Sequence, residues 1–222
     1  MEIKKLTLFS KNLDEQEHFY GNILGLPVHR IGKTKLRVHT KENVLIFKKT
    51  DKRFCYHFAF LINPGSLESA MEFLKKREIK LLPYQESEII YFNSGRSIYF
   101  FDMDGNIAEF IERPTLPYKK AIQFSIENII KVNEIGLPVS DTIKTANYIS
   151  NNLGITPMNK TDFNDAFCWV GDFNGVIIVV KEGRNWLPTE IPGTVNDFMI
   201  SYTEKGIEKK IGFENNIIKE IV

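Results

Sequence analysis

The apolar residues Ile3, Leu6, Leu8 and Phe9, broken by Lys4, Lys5 and Thr7, read as a strand over residues 3–9. Asn12 follows, with Glu15 three residues on, a pairing that caps a helix N-terminus. Leu13, Phe19, Tyr20, Ile23 and Leu24 then recur at helical spacing, and Gly25 closes that helix. Short strands are predicted around Val28, over 36–38 and over 44–47. The order strand, helix, strands recurs at once. An aromatic-rich strand covers 56–61. Pro64-Gly65-Ser66 opens a helix with Leu67, Ala70, Met71 and Leu74 on one face. Strands follow near 89–92, 98–101 and 107–111, the last two joined by a tight turn at Asp104-Gly105.

Residues 113–128, with Pro114, Pro117 and Lys119-Lys120, read as a linker. Beyond it the pattern repeats. Laying Leu8 on Leu137 puts Lys11 on Ser140, Phe19 on Tyr148 and Leu24-Gly25 on Leu153-Gly154 without a gap, which marks an internal repeat. The third unit ends with strands at 167–170 and 176–180 around Asn174-Gly175. A fourth begins near 195–201, where the remaining chain suffices for a helical turn and a strand over 217–222. The chain thus divides into residues 1–113, with two modules, and residues 129–222, with a truncated last module.

Composition narrows the function classes. The chain has 222 residues, 43% hydrophobic and 26% charged, an ordinary folded mix rather than a disordered one. A net charge of +1 without a basic block offers no electrostatic case for nucleic acid. Lys48-Lys49-Thr50-Asp51-Lys52-Arg53 reads as a solvated turn. No apolar stretch approaches ~18 residues, so no membrane span is expected. Cys55 and Cys168 alone make neither a disulfide framework nor a zinc spacing, and the expected location is cytoplasmic.

Leu6-Thr7-Leu8-Phe9-Ser10-Lys11-Asn12-Leu13, with Phe19-Tyr20 and Leu24-Gly25-Leu26, resembles the opening signature of the vicinal-oxygen-chelate superfamily. Tyr99-Phe100-Phe101-Asp102-Met103-Asp104-Gly105-Asn106 with Glu109 resembles its closing strand pair, and Glu134-Ile135-Gly136-Leu137-Pro138-Val139-Ser140-Asp141 repeats the opening. The resemblance implies an α+β fold of paired βαβββ modules, glyoxalase/dioxygenase-like, here as two tandem domains. Each module pair would curl around a cleft that often holds a divalent metal. The superfamily includes glyoxalase I, extradiol dioxygenases, fosfomycin-modifying transferases and metal-free bleomycin-binding proteins.

The superfamily's ligand positions fall on Lys5, His57 and Glu109, with the remaining one near Phe47 or Lys48. Alternation puts Glu109 on one face with Ile107 and Ile111, and His57 on one face with Ala59 and Leu61. His and Glu suit zinc, iron, manganese or nickel. A lysine ammonium has no lone pair for a metal, so Lys5 breaks the set and is free to pair with Glu109 instead. The leading expectation is a small-organic-ligand cleft in residues 1–113, lined by Lys5, His57, Tyr99 and Glu109, without a complete metal site or other cofactor. A metal-dependent lyase or ring-cleaving dioxygenase with His57 and Glu109 as ligands stays open, as does a non-catalytic scaffold. In the second half the equivalent positions are Glu134 and Asp197. An open edge at the truncated module makes a homodimer a further expectation. Asp102-Met103-Asp104-Gly105 reads as a turn rather than a calcium loop, His29 and His39 as surface or packing residues, and Tyr91, Phe92, Tyr99 and Phe101 as mostly core.

Overall fold

The computed structural model describes residues 1–93, 95–215 and 217–221. Strand β1 (Glu2–Ser10) leads into α1 (Leu13–Glu17), which Asn12 caps by accepting the Glu15 N–H. A π-helical turn, His18–Ile23, extends α1. Strands β2 (Val28–Ile31), β3 (Lys35–His39) and β4 (Val44–Lys49) complete the first module. The second holds β5 (His57–Ile62), α2 (Leu67–Lys75), β6 (Ile90–Phe92), β7 (Gly95–Phe101) and β8 (Ile107–Glu112). The third holds β9 (Ile129–Val139), α3 (Thr142–Asn152), β10 (Phe167–Asp172) and β11 (Gly175–Lys181).

The fourth module is all strand: β12 (Phe198–Glu204), β13 (Ile207–Glu214) and β14 (Ile217–Glu220). This corrects the expected helical turn. Lys205 and Gly206 both have positive φ, as a two-residue hairpin turn demands. The alternating Ile211 and Phe213 then face the core, Phe213 stacking on Phe198 at 4.4 Å.

The strands form two seven-stranded sheets, β14-β13-β12-β1-β4-β3-β2 and β10-β11-β9-β5-β8-β7-β6. The α+β fold of paired βαβββ-type modules is therefore present, with the last module truncated. The pairing, however, is nested. Module 1 joins module 4 through antiparallel β1 and β12, and module 2 joins module 3 through antiparallel β5 and β9. Each sheet crosses the boundary at residues 113–128.

One face of each sheet enters a shared core. Leu6, Leu8, Leu36, Val38, Leu45 and Phe47 line it from the first sheet, and Phe58, Phe60, Ile62, Phe100 and Phe110 from the second. Tyr20 stands between them, 5.4 Å from Phe47 and 6.3 Å from Phe60, ring to ring. Its hydroxyl donates to buried Asp102, which also accepts from Gln16 and Asn106 and so ties α1 to the β7–β8 turn. With period-2 alternation, the core-facing set on one side fixes the set facing away, and the two outward faces are two separate clefts.

Candidate functional site

The cleft of modules 1 and 4 is broad and polar, about 750 Å³, and lined by Lys5, Lys35, Arg37, Lys48, Lys210 and others. Lys35 and Lys48 lie directly opposite each other on β3 and β4. Lys5 is exposed on this face and makes no ion pair with a described residue. It is not in the cleft of His57 and Glu109, and the expected Lys5–Glu109 pair does not form, because β1 and β8 belong to different sheets. The closing position paired to this strand is Ile46, opposite Thr7, rather than Phe47 or Lys48. Phe47 is in the core and Lys48 lines the polar cleft.

The cleft of modules 2 and 3 is small, about 120 Å³, and mostly apolar. Here His57, Tyr99 and Glu109 come together. Parallel β5 and β8 set Glu109 opposite Ala59, and His57 Nε2 stands 3.4 Å from Glu109 Oε2. His57 Nδ1 lies 3.2 Å from the Ile107 carbonyl, which accepts its proton and turns the Nε2 lone pair toward Glu109. Tyr99 is directly across from Glu109 on β7, and the Ser97 hydroxyl donates to the Glu109 carboxyl.

Burial governs the protons. Desolvation pushes the His57 imidazole down to about 4. Desolvation first, and the nearby Glu134 carboxylate second, push Glu109 up to about 8. Burial thus favours the neutral form of both groups, carboxylic acid and imidazole.

The sequence had separated Glu134 from this group. It stands on β9, opposite Ala59, and lines the same cleft. Asp197, its expected companion, lies elsewhere, accepting from the Asn215 N–H. Glu134 is ion-paired to Arg113, which is fully buried rather than part of a solvated linker. Arg113 also faces the rings of Phe173 and Trp169 at 4.8 and 5.3 Å. Trp186 enters from the loop 183–193, which is pinned by hydrogen bonds between Trp186 N–H and Ile191 O and between Gly193 N–H and Arg184 O. Its indole packs on Gly136 and lies 5.0 Å from the His57 ring. A β-carbon at Gly136 would fall 2.4 Å from that indole, so only glycine leaves the room. Of the four aromatics assigned mostly to the core, only Tyr99 is buried. Tyr91, Phe92 and Phe101 are exposed, Phe92 at the cleft mouth.

The superfamily's metal can be tested against these donors. His57 and Glu109 offer two ligands. The Glu134 carboxylate is taken by Arg113. The β11 position equivalent to Glu109 is Ile178, which has no donor atom. Among the described residues no three His, Cys, Asp or Glu side chains cluster to hold a metal ion. The donor set does not fit a three-ligand metal centre.

No protein-family model matches the chain. Metallothiol transferase FosB of Staphylococcus haemolyticus is 26% identical over 117 residues, 48% of this chain and 80% of that protein. A putative dioxygenase from Bacillus subtilis superposes over 99% of this chain and 84% of its own, with a TM-score of 0.65 at 14% identity, a likeness of fold. A lactoylglutathione lyase from Agrobacterium tumefaciens overlays 50% of this chain and 92% of its own, with a TM-score of 0.43 and 19% identity. Among the described residues no helix is long and apolar enough to cross a membrane. The chain thus has the paired-module, glyoxalase/dioxygenase-like fold and is similar to the vicinal-oxygen-chelate superfamily.

Proposed function

We propose that the cleft between modules 2 and 3 binds a small organic molecule, with His57 and Glu109 handling a proton at its polar end. The observation carrying this reading is the 3.4 Å approach of His57 Nε2 to Glu109 Oε2 at the wall of an apolar cavity. A protonated carboxyl beside a neutral imidazole is a donor next to an acceptor, the two halves of acid–base chemistry, with no ion stranded in the cavity. A cavity of roughly 150 Å³ lined by apolar side chains admits benzene, so about 120 Å³ suits one ring or a body of similar size.

Both tryptophans of the chain, Trp169 and Trp186, line this cavity, so intrinsic fluorescence reports its occupancy. A panel of one-ring phenols, acids and amides titrated against the wild-type protein should include ligands that change the emission, with weaker binding to His57→Ala. A flat response to the whole panel at millimolar concentration would sink the proposal.

A second reading draws on the His57 tautomer, which leaves Nε2 free to bind a cation with Glu109. Elemental analysis separates the two. Stoichiometric zinc, iron, manganese or nickel that survives gel filtration and is lost in His57→Ala favours a metal-dependent lyase or dioxygenase.

A further inference from the structure

Seven buried side-chain polar atoms among the described residues have no hydrogen-bond partner, and four belong to three residues of one cavity. They are Arg113 Nε and Nη1 and the indole nitrogens of Trp169 and Trp186. All four are donors. Native proteins pair nearly all such groups, and these four unpartnered donors belong to residues that line one cavity. Arg113 is the clearest case. It is completely buried, its Nη2 is committed to Glu134, and three of its five N–H bonds have no acceptor.

Charge points the same way. Arg113 and Arg184 bring two positive charges to the cavity and Glu134 one negative charge, while His57 and Glu109 are neutral as a pair. The lining carries a net charge of +1. Arg113 is balanced by Glu134, so the remaining charge is that of half-buried Arg184, and one negative charge on a guest would balance it. The remaining wall, including Ile111, Ile178 and Leu187, is hydrocarbon.

Building on the ligand-binding reading above, we infer that the guest is a small monoanionic organic acid, with a one-ring or similar apolar body, whose oxyanion is received by Arg113, Arg184 and the indole N–H groups of Trp169 and Trp186. The apolar body lies along the hydrocarbon wall. The end of the molecule nearest His57 and Glu109 is where a proton is exchanged.

Benzoate and benzamide test this, because they share shape and differ in charge. Binding is followed by tryptophan fluorescence at pH 7 in the full chain. Benzoate should bind about tenfold or more tighter than benzamide, the effect expected of charge-assisted hydrogen bonds. Trp186→Phe and Trp169→Phe keep an aromatic ring and remove the N–H, and the tryptophan left in each still reports. Each should weaken benzoate severalfold and leave benzamide unchanged. Arg184→Gln should do the same without touching the buried Arg113–Glu134 pair. If benzamide or phenol binds as tightly as benzoate, the anion inference is overturned and the cleft remains a ligand site. If no probe binds a protein whose melting is cooperative, the inference and the ligand-binding reading fall together.

Discussion

His57 and Glu109 face each other from adjacent parallel strands, 3.4 Å apart, with opposite protonation tendencies imposed by the same burial. The consequence appears in the pH dependence of stability. Glu109 is raised from 4.5 to about 8, so its contribution is complete below 4.5 and is lost as pH rises toward 8. His57 is lowered from 6.5 to about 4, so its contribution is complete above 6.5 and is lost as pH falls toward 4. Asp102, raised from 3.8 to about 6, acts in the same sense as Glu109 but over lower pH. Of these three groups, Glu109 is the one that operates between about 6.5 and 8. There stability should fall as pH rises, by at most about 1.4 kcal/mol per pH unit. Denaturant melts across this window test it, and Glu109→Gln should flatten the slope. A wild-type slope that persists in Glu109→Gln assigns the proton elsewhere.

Gly136 is the floor on which Trp186 rests. Gly136→Ala puts a methyl group 2.4 Å from the indole and should destabilise the protein by about 1–3 kcal/mol through overpacking. The indole should also leave His57, giving a red-shifted emission. Unchanged melting and emission would mean that the loop 183–193 yields at no cost.

Arg113 and Glu134 form a buried ion pair, in which loss of one partner strands the other. Arg113→Ala should cost about 3–5 kcal/mol. Arg113→Met combined with Glu134→Met should recover most of that loss, because a buried pair is often replaced by apolar side chains of similar volume without penalty. A double variant as unstable as the single one would show that the pair's hydrogen bonds, rather than its uncompensated charge, dominate.

Lys5→His places an imidazole on the polar cleft of the other sheet. No metal affinity should arise at His57 and Glu109, and calorimetry with zinc should match the wild type. Gain of a site that requires Glu109 would contradict the nested pairing.

The strand and helix order was legible in the sequence because each element has a clean period and an identifiable cap or turn, such as Asn12 or Asp104-Gly105. The family resemblance singled out His57 and Glu109, and alternation set each on a face with its apolar neighbours. The pairing of modules was not legible. That β5 joins β9 is a non-local choice, and its trace is only that β9 is buried along its whole length, as suits a central strand. Once β5 and β9 are neighbours, Glu134 follows, since the repeat sets it at the position of Lys5. Arg113 was masked by Pro114 beside it, which reads as a linker. Trp186 left no local signal, because a loop residue's destination depends on the surface across from it. Gly206 is the one local signal of the turn that separates β12 from β13, too slight beside the polar residues around it to mark a hairpin.

The nested pairing makes the chain behave as two interleaved halves tied by a tether. A fragment ending at residue 113 would keep β1 and β5 but lose β12 and β9, the strands that cover their edges. Two such fragments could meet by laying the β1 of each against the β5 of the other, the exchange that turns a tethered assembly into a symmetric pair. Light scattering on the excised half should therefore find a dimer or an aggregate. A monomeric, cooperatively melting half would show that each pair of consecutive modules is self-sufficient.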